Sequence, residues 1–152
     1  MLVEGFLEEG ATMVLENASQ QYAIWPVLDL ALSVAAGFEW MGKPTAQSSA
    51  LFINLTRPDW VLQRHLKKWA HARVAIPSAV SLLSIPSRQY PPEELIARCV
   101  ERDSALIVID PLYALKGFTI EELAERTGAT VVASDGGWYG PVRVRKQPLK
   151  SK

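Results

Sequence analysis

The sequence predicts an α/β fold: a three-layer domain with a mostly parallel central sheet flanked by helices. Three observations predict it. Short, continuous apolar runs recur along the chain, the pattern of strands buried on both faces. Longer amphipathic segments separate these runs, so strand and helix alternate. Several of those segments open with helix-start signals, either proline followed by acids or a capping box.

The first apolar run, Ala11-Thr12-Met13-Val14-Leu15, reads as a strand and leads into a polar loop, Glu16 to Gln21. A helix follows from Trp25 to Ala36 and is closed by Gly37. The connector Gly37 to Gln47 is rich in breakers. Ser49 to Leu55 is short and apolar and reads as a buried strand. Pro58 opens a helix over Asp59 to Ala72, in which Leu62, Leu66 and Trp69 form an apolar stripe. Arg73-Val74-Ala75-Ile76 reads as a short third strand stopped by Pro77. Ser78 to Tyr90 stays open between a helical turn and a strand. Pro91-Pro92-Glu93-Glu94 starts a helix that runs to about Arg102. Ser104 to Asp110 is the clearest strand. Thr119 caps a helix reaching Arg126, Gly128 stops it, and Ala129 to Ala133 forms a further strand. After the turn Asp135-Gly136-Gly137, Val142 and Val144 suggest an edge strand. The expectation is one domain over residues 1–152, with a basic C-terminal tail at about 143–152 and no internal repeats.

At 152 residues the chain is long enough to bury one real core. Its 16 Lys and Arg balance 16 Asp and Glu, so no global field demands a nucleic acid or an anionic membrane. The lone Cys99 excludes an internal disulfide and a cysteine-based zinc site, and fits a reducing cytosol. The acidic N-terminal stretch lacks the basic start of a signal peptide, and no apolar run approaches the roughly 20 residues of a membrane helix. The expected location is the cytoplasm, with no membrane partner.

Residues Gly10 to Gly37 have the strand–loop–helix layout of a P-loop unit. In a working P-loop, glycines let backbone N–H groups close around phosphates, a lysine neutralises charge, and a hydroxyl takes magnesium. In that register Asn17 stands at the first glycine, Tyr22 at the second, Ala23 at the lysine and Ile24 at the hydroxyl. Side chains at Asn17 and Tyr22 obstruct close backbone approach. Loss of the lysine removes a contact worth roughly 1.5–3 kcal/mol, about 10- to 100-fold in affinity.

The segments Gly10 to Gly37, Gly42-Lys43-Pro44-Thr45, Leu51 to Leu55 and Leu106 to Leu112 together resemble the RecA-like ATPases of the plasmid replicative helicase (RepA-type) group. The likeness covers roughly the first seventy residues and about thirty more around Asp110, and rests on ordered segments, not on one complete fingerprint. It implies a RecA-like fold and makes Asp110 the Walker B-like aspartate. The family's water-activating glutamate falls here on Thr56 or Arg57, and Ala133-Ser134-Asp135 stands where its sensor strand ends in histidines. An aspartate closing an apolar strand also has a plain structural role, capping the next turn.

Other residues compete for attention. Arg64, Lys67, Lys68 and His71 lie on the polar side of the Asp59–Ala72 helix, and Arg143, Arg145 and Lys146 lie near the C-terminus. They are candidate nucleic-acid contacts, since phosphate binding uses such residues without base specificity; a solvated helix face looks the same. His65 and His71 are not spaced as paired metal ligands, so no metal is expected. Cys99 reads as a core residue. Of five tryptophans, Trp25 is placed to fill the empty phosphate site, Trp60 and Trp69 share one helix, and Trp40 and Trp138 lie near turns where exposure is expected.

The leading expectation is a non-catalytic, degenerate RecA-like domain, a pseudo-ATPase working as a regulatory or structural partner in DNA replication or recombination. It has no catalytic residues and no cofactor. A protein partner or homo-oligomer is implied by the resemblance. The alternatives are an atypical ATPase that binds Mg-ATP through Asp110 with Lys43 or a neighbouring subunit, and a small nucleic-acid-binding module.

Overall fold

The computed structural model describes residues 1–16, 24–73, 75–85, 90–135 and 143–147. Its elements are β1 (Thr12–Glu16), α1 (Ile24–Ala36), β2 (Ala50–Asn54), α2 (Asp59–Arg73), β3 (Val80–Ser84), α3 (Pro92–Arg102), β4 (Leu106–Asp110), a 3-10 turn (Leu112–Ala114), α4 (Ile120–Thr127), β5 (Thr130–Ser134) and β6 (Arg143–Gln147). The strands form one sheet in the order β3-β2-β4-β5-β1-β6. The first five pair in parallel, and β6 runs antiparallel to β1.

The three layers follow from strand alternation. Every residue of β2, β4 and β5 is buried, as a sheet covered on both faces requires. Phe52, Leu106, Val108, Val132 and Met13 point to one side, into a core with Leu28 and Leu32 of α1 and Leu62, Leu66 and Trp69 of α2. Leu51, Ile53, Ile107, Ile109 and Val131 point to the other, against Leu95, Ile96 and Cys99 of α3 and Leu123 of α4. The helix ends match their sequence signals. The Thr119 hydroxyl accepts from the Glu122 amide at 3.1 Å, and Gly128 ends α4 in the left-handed region.

Three local expectations are corrected. Arg73 is the last residue of α2, not the start of a strand, and Ala75 and Ile76 belong to no strand. The β-branched content there is outweighed by tertiary contacts: Arg73 packs over the Trp69 ring and meets Asp29 at 3.8 Å. The third strand lies instead at Val80–Ser84, within the segment whose pattern was ambiguous, and pairs residue for residue with β2. Trp40 is buried, not exposed: its indole donates to the Pro26 carbonyl at 2.9 Å and packs on Phe6. A glycine-containing turn marks chain reversal, not solvent exposure.

The expected edge strand is β6, and it takes up part of the segment expected as a basic tail. Its Leu15↔Val144 and Val14↔Arg145 pairs extend the sheet past β1.

Candidate functional site

In parallel sheets of this kind, polar groups that act on ligands gather beyond the carboxyl ends of the strands. Here those ends carry Ser84, Asn54, Asp110 and Ser134, the last residues of β3, β2, β4 and β5. Register puts Ser84, Asn54 and Asp110 in one row across three strands. By alternation the row faces the α1/α2 layer, the side to which Phe52 and Val108 also point. Asn54, Asp110 and Ser134 are fully buried.

The loop after β2 locks onto this row. Asn54 accepts the Arg57 amide at 3.0 Å through Oδ1 and donates through Nδ2 to the Arg57 carbonyl at 2.7 Å. One side-chain amide thus closes the 54–57 turn from both sides. Nδ2 also donates to the Ser84 hydroxyl at 2.9 Å, and that hydroxyl donates to Asp59 at 2.6 Å. The turn aims the Arg57 side chain at Asp110, where Nε meets Oδ2 at 2.9 Å. A chain of polar contacts therefore runs from Asp59 through Ser84, Asn54 and Arg57 to Asp110.

Burial raises the Asp110 pKa above the ordinary aspartate range, against the opposing pull of the Arg57 guanidinium and a smaller one from Ser134. Oδ1 makes no hydrogen bond among the described residues. Asp110 is thus a buried acid with one oxygen held by a cation and one left over. The oxygen so held is Oδ2, which carries the Arg57 guanidinium. Among the described residues, no three His, Cys, Asp or Glu side chains cluster as a metal set.

The other expected site residues are dispersed. β1 ends at Glu16 and α1 begins at Ile24, whereas Asn17, Tyr22 and Ala23 lie outside the described residues, as does the Ile24 side chain. The Trp25 side chain expected to fill the phosphate site, and Trp138, expected to be exposed, fall outside them too. Arg64, Lys67 and Lys68 are exposed on α2, the crossover between β2 and β3 at one end of the sheet. Arg143, Arg145 and Lys146 belong to β6 at the other end, so the two basic elements do not merge. Lys43 sits in the connector with its ammonium 5.9 Å from the Phe6 ring centre. His65 is partly buried, and burial first, then Arg57, Lys68 and Arg64, lower its pKa. Cys99 is buried in the α3 layer, which pushes its thiol up to about 11.

Asn54 and Ser84 were missed in sequence, and Arg57 and Ser134 were noted there only as departures from the family pattern. A signal was present. Each of Ser84, Asn54, Asp110 and Ser134 is a polar residue closing a largely apolar strand.

No protein-family model matches the chain, and no curated protein matches it. Among solved structures, it is similar to a KaiC-like protein from the hyperthermophilic archaeon Pyrococcus horikoshii. The TM-score is 0.54 at 13% identity, over 88% of this chain and 64% of that one. The fold is RecA-like. At that identity the likeness carries the fold alone, and the chain spans less than two thirds of that protein's length.

Proposed function

We propose that this chain is a non-catalytic RecA-like domain, a pseudo-ATPase that acts as a regulatory or structural partner of another protein, in DNA replication or recombination. The observation that carries this reading is the 2.9 Å ion pair between Arg57 and Asp110. The sequence resemblance sets the water-activating glutamate at Thr56 or Arg57 and the magnesium-binding aspartate at Asp110. Neither Thr56 nor Arg57 carries a carboxylate that could act as a base, and Arg57 pairs with the aspartate. Arginine is always charged and cannot serve as a base. The departures at Asn17, Tyr22 and Ala23 support the same reading from the sequence side.

A titration of the purified protein with millimolar Mg-ATP, reading both heat and melting temperature, tests it. No heat and no change in melting temperature are expected, since a ligand stabilises only the state it binds. Saturable binding that disappears in Asp110→Ala would replace this reading with an ATPase built on Asp110.

A further inference from the structure

The outward face of α2 combines cations with a bare aromatic ring. Leu62, Leu66 and Trp69 bury one side of this helix. At 3.6 residues per turn, Trp60, Arg64, Lys67, Lys68 and His71 fall together on the opposite side. All five are exposed, and Trp60 has 66% of its surface in solvent. At 1.5 Å per residue the stripe is about 16 Å long, enough for a few nucleotides.

The charge is local and uncompensated. Arg64, Lys67 and Lys68 form no salt bridge among the described residues. Asp59, the one acid of α2, accepts the Ser84 hydroxyl at 2.6 Å. Across the sheet, α3 and α4 carry six glutamates against three arginines. A chain of zero net charge has thus placed a cationic helix on one face of the sheet and acidic helices on the other.

We propose that this face binds single-stranded nucleic acid, with Arg64, Lys67 and Lys68 on the phosphates and the Trp60 indole stacked on a base. Cations on phosphate give affinity without sequence preference, and an exposed aromatic gives a platform that any unpaired base can use. Trp60 chooses among polyanions. A duplex keeps its bases stacked inside and offers that ring nothing. An anionic membrane surface calls for a broad apolar face, whereas Trp60 is the one large apolar side chain on the outward stripe. The proposal is independent of the loss of ATPase chemistry, because Mg-ATP binding and oligonucleotide binding are read in separate titrations.

The experiment is a fluorescence-anisotropy titration of a labelled oligothymidylate with the whole chain over a series of salt concentrations. Binding should weaken steeply with salt, and Arg64→Ala with Lys68→Ala should reduce the log–log slope by about 1.4, two phosphate contacts on a single strand. Trp60→Ala should weaken binding about 5- to 150-fold with the slope unchanged, and Trp60→Phe should keep most of the affinity. Melting temperatures should stay near the parental value, since the altered side chains are exposed. No binding would overturn the proposal. So would affinity for phosphatidylserine vesicles but not for the oligonucleotide. So would binding that survives the α2 substitutions and is lost when Arg143, Arg145 and Lys146 are changed to glutamate.

Discussion

Arg57 Nε donates to Asp110 Oδ2 at 2.9 Å, tying the loop after β2 to the last residue of β4, 53 positions later in the chain. The Asp110 side chain is fully buried and that of Arg57 is 19% exposed. The pair therefore sits where desolvation and Coulomb attraction are both large and nearly offset each other.

Removing one partner should hurt far more than removing both. Arg57→Met leaves a buried carboxylate without its cation, and urea denaturation at pH 7 should show a loss of about 3 kcal/mol. Arg57→Met combined with Asp110→Leu should recover most of that loss. A double variant as unstable as the single one would show that Asn54 and the turn, not the charge, hold this corner.

The pH dependence has a definite sign. The folded-state pKa of Asp110 lies above the unfolded value near 3.8, so the folded chain holds this proton where the unfolded chain has released it. The stabilisation from this group is full below 3.8 and is lost as pH rises through the folded value. Asp110→Asn is uncharged throughout. Its stability relative to the parent should therefore fall as pH drops from 7 toward 4, read as the difference between their melting temperatures. A difference that stays flat would mean Arg57 fully cancels the effect of burial.

Cys99 should be silent in the native state. Its thiol is buried and pushed up to about 11, so almost no thiolate exists at pH 8. Ellman's reagent should react with it only at the rate of unfolding, and promptly in denaturant. Fast reaction of the folded protein would place this thiol outside the α3 core.

Gly117 and Gly128 both have positive φ, but only one has a neighbour in the way. A Cβ at Gly128 meets nothing within 4 Å, so Gly128→Ala should cost about 1–2 kcal/mol from backbone strain alone. A Cβ at Gly117 runs into the Pro92 ring at the start of α3, and that ring is stiff. Gly117→Ala should therefore cost about 3 kcal/mol or more. Thermal melts of the two variants compare them directly, and equal losses would refute the packing of this loop on α3.

Much of the fold was legible because its signals are local. The Thr119 cap, the proline start of α3 and the continuous apolar runs of β2, β4 and β5 each state their own conformation within a few residues. Val80–Ser84 was not legible, since a short run such as Val-Ser-Leu-Leu-Ser fits either state until Ala50 to Asn54 pairs with it. Asp110 was read in sequence from its place at the end of a strand. Its partner was not, because sequence spacing says nothing about a contact made through sheet order.

The sequence by itself determined the α/β class, the helix boundaries to within a residue and the departures at the loop positions Asn17, Tyr22 and Ala23. Propensity, capping and side-chain chemistry belong to individual residues and their near neighbours. Only the tertiary structure decided that Ser84, Asn54 and Asp110 share a row, that Arg57 neutralises Asp110, and that Trp40 is buried while Trp60 stands in solvent. Those outcomes depend on which strands become neighbours and which helix face meets the sheet. Long-range pairing sets both, and no short window of sequence contains it.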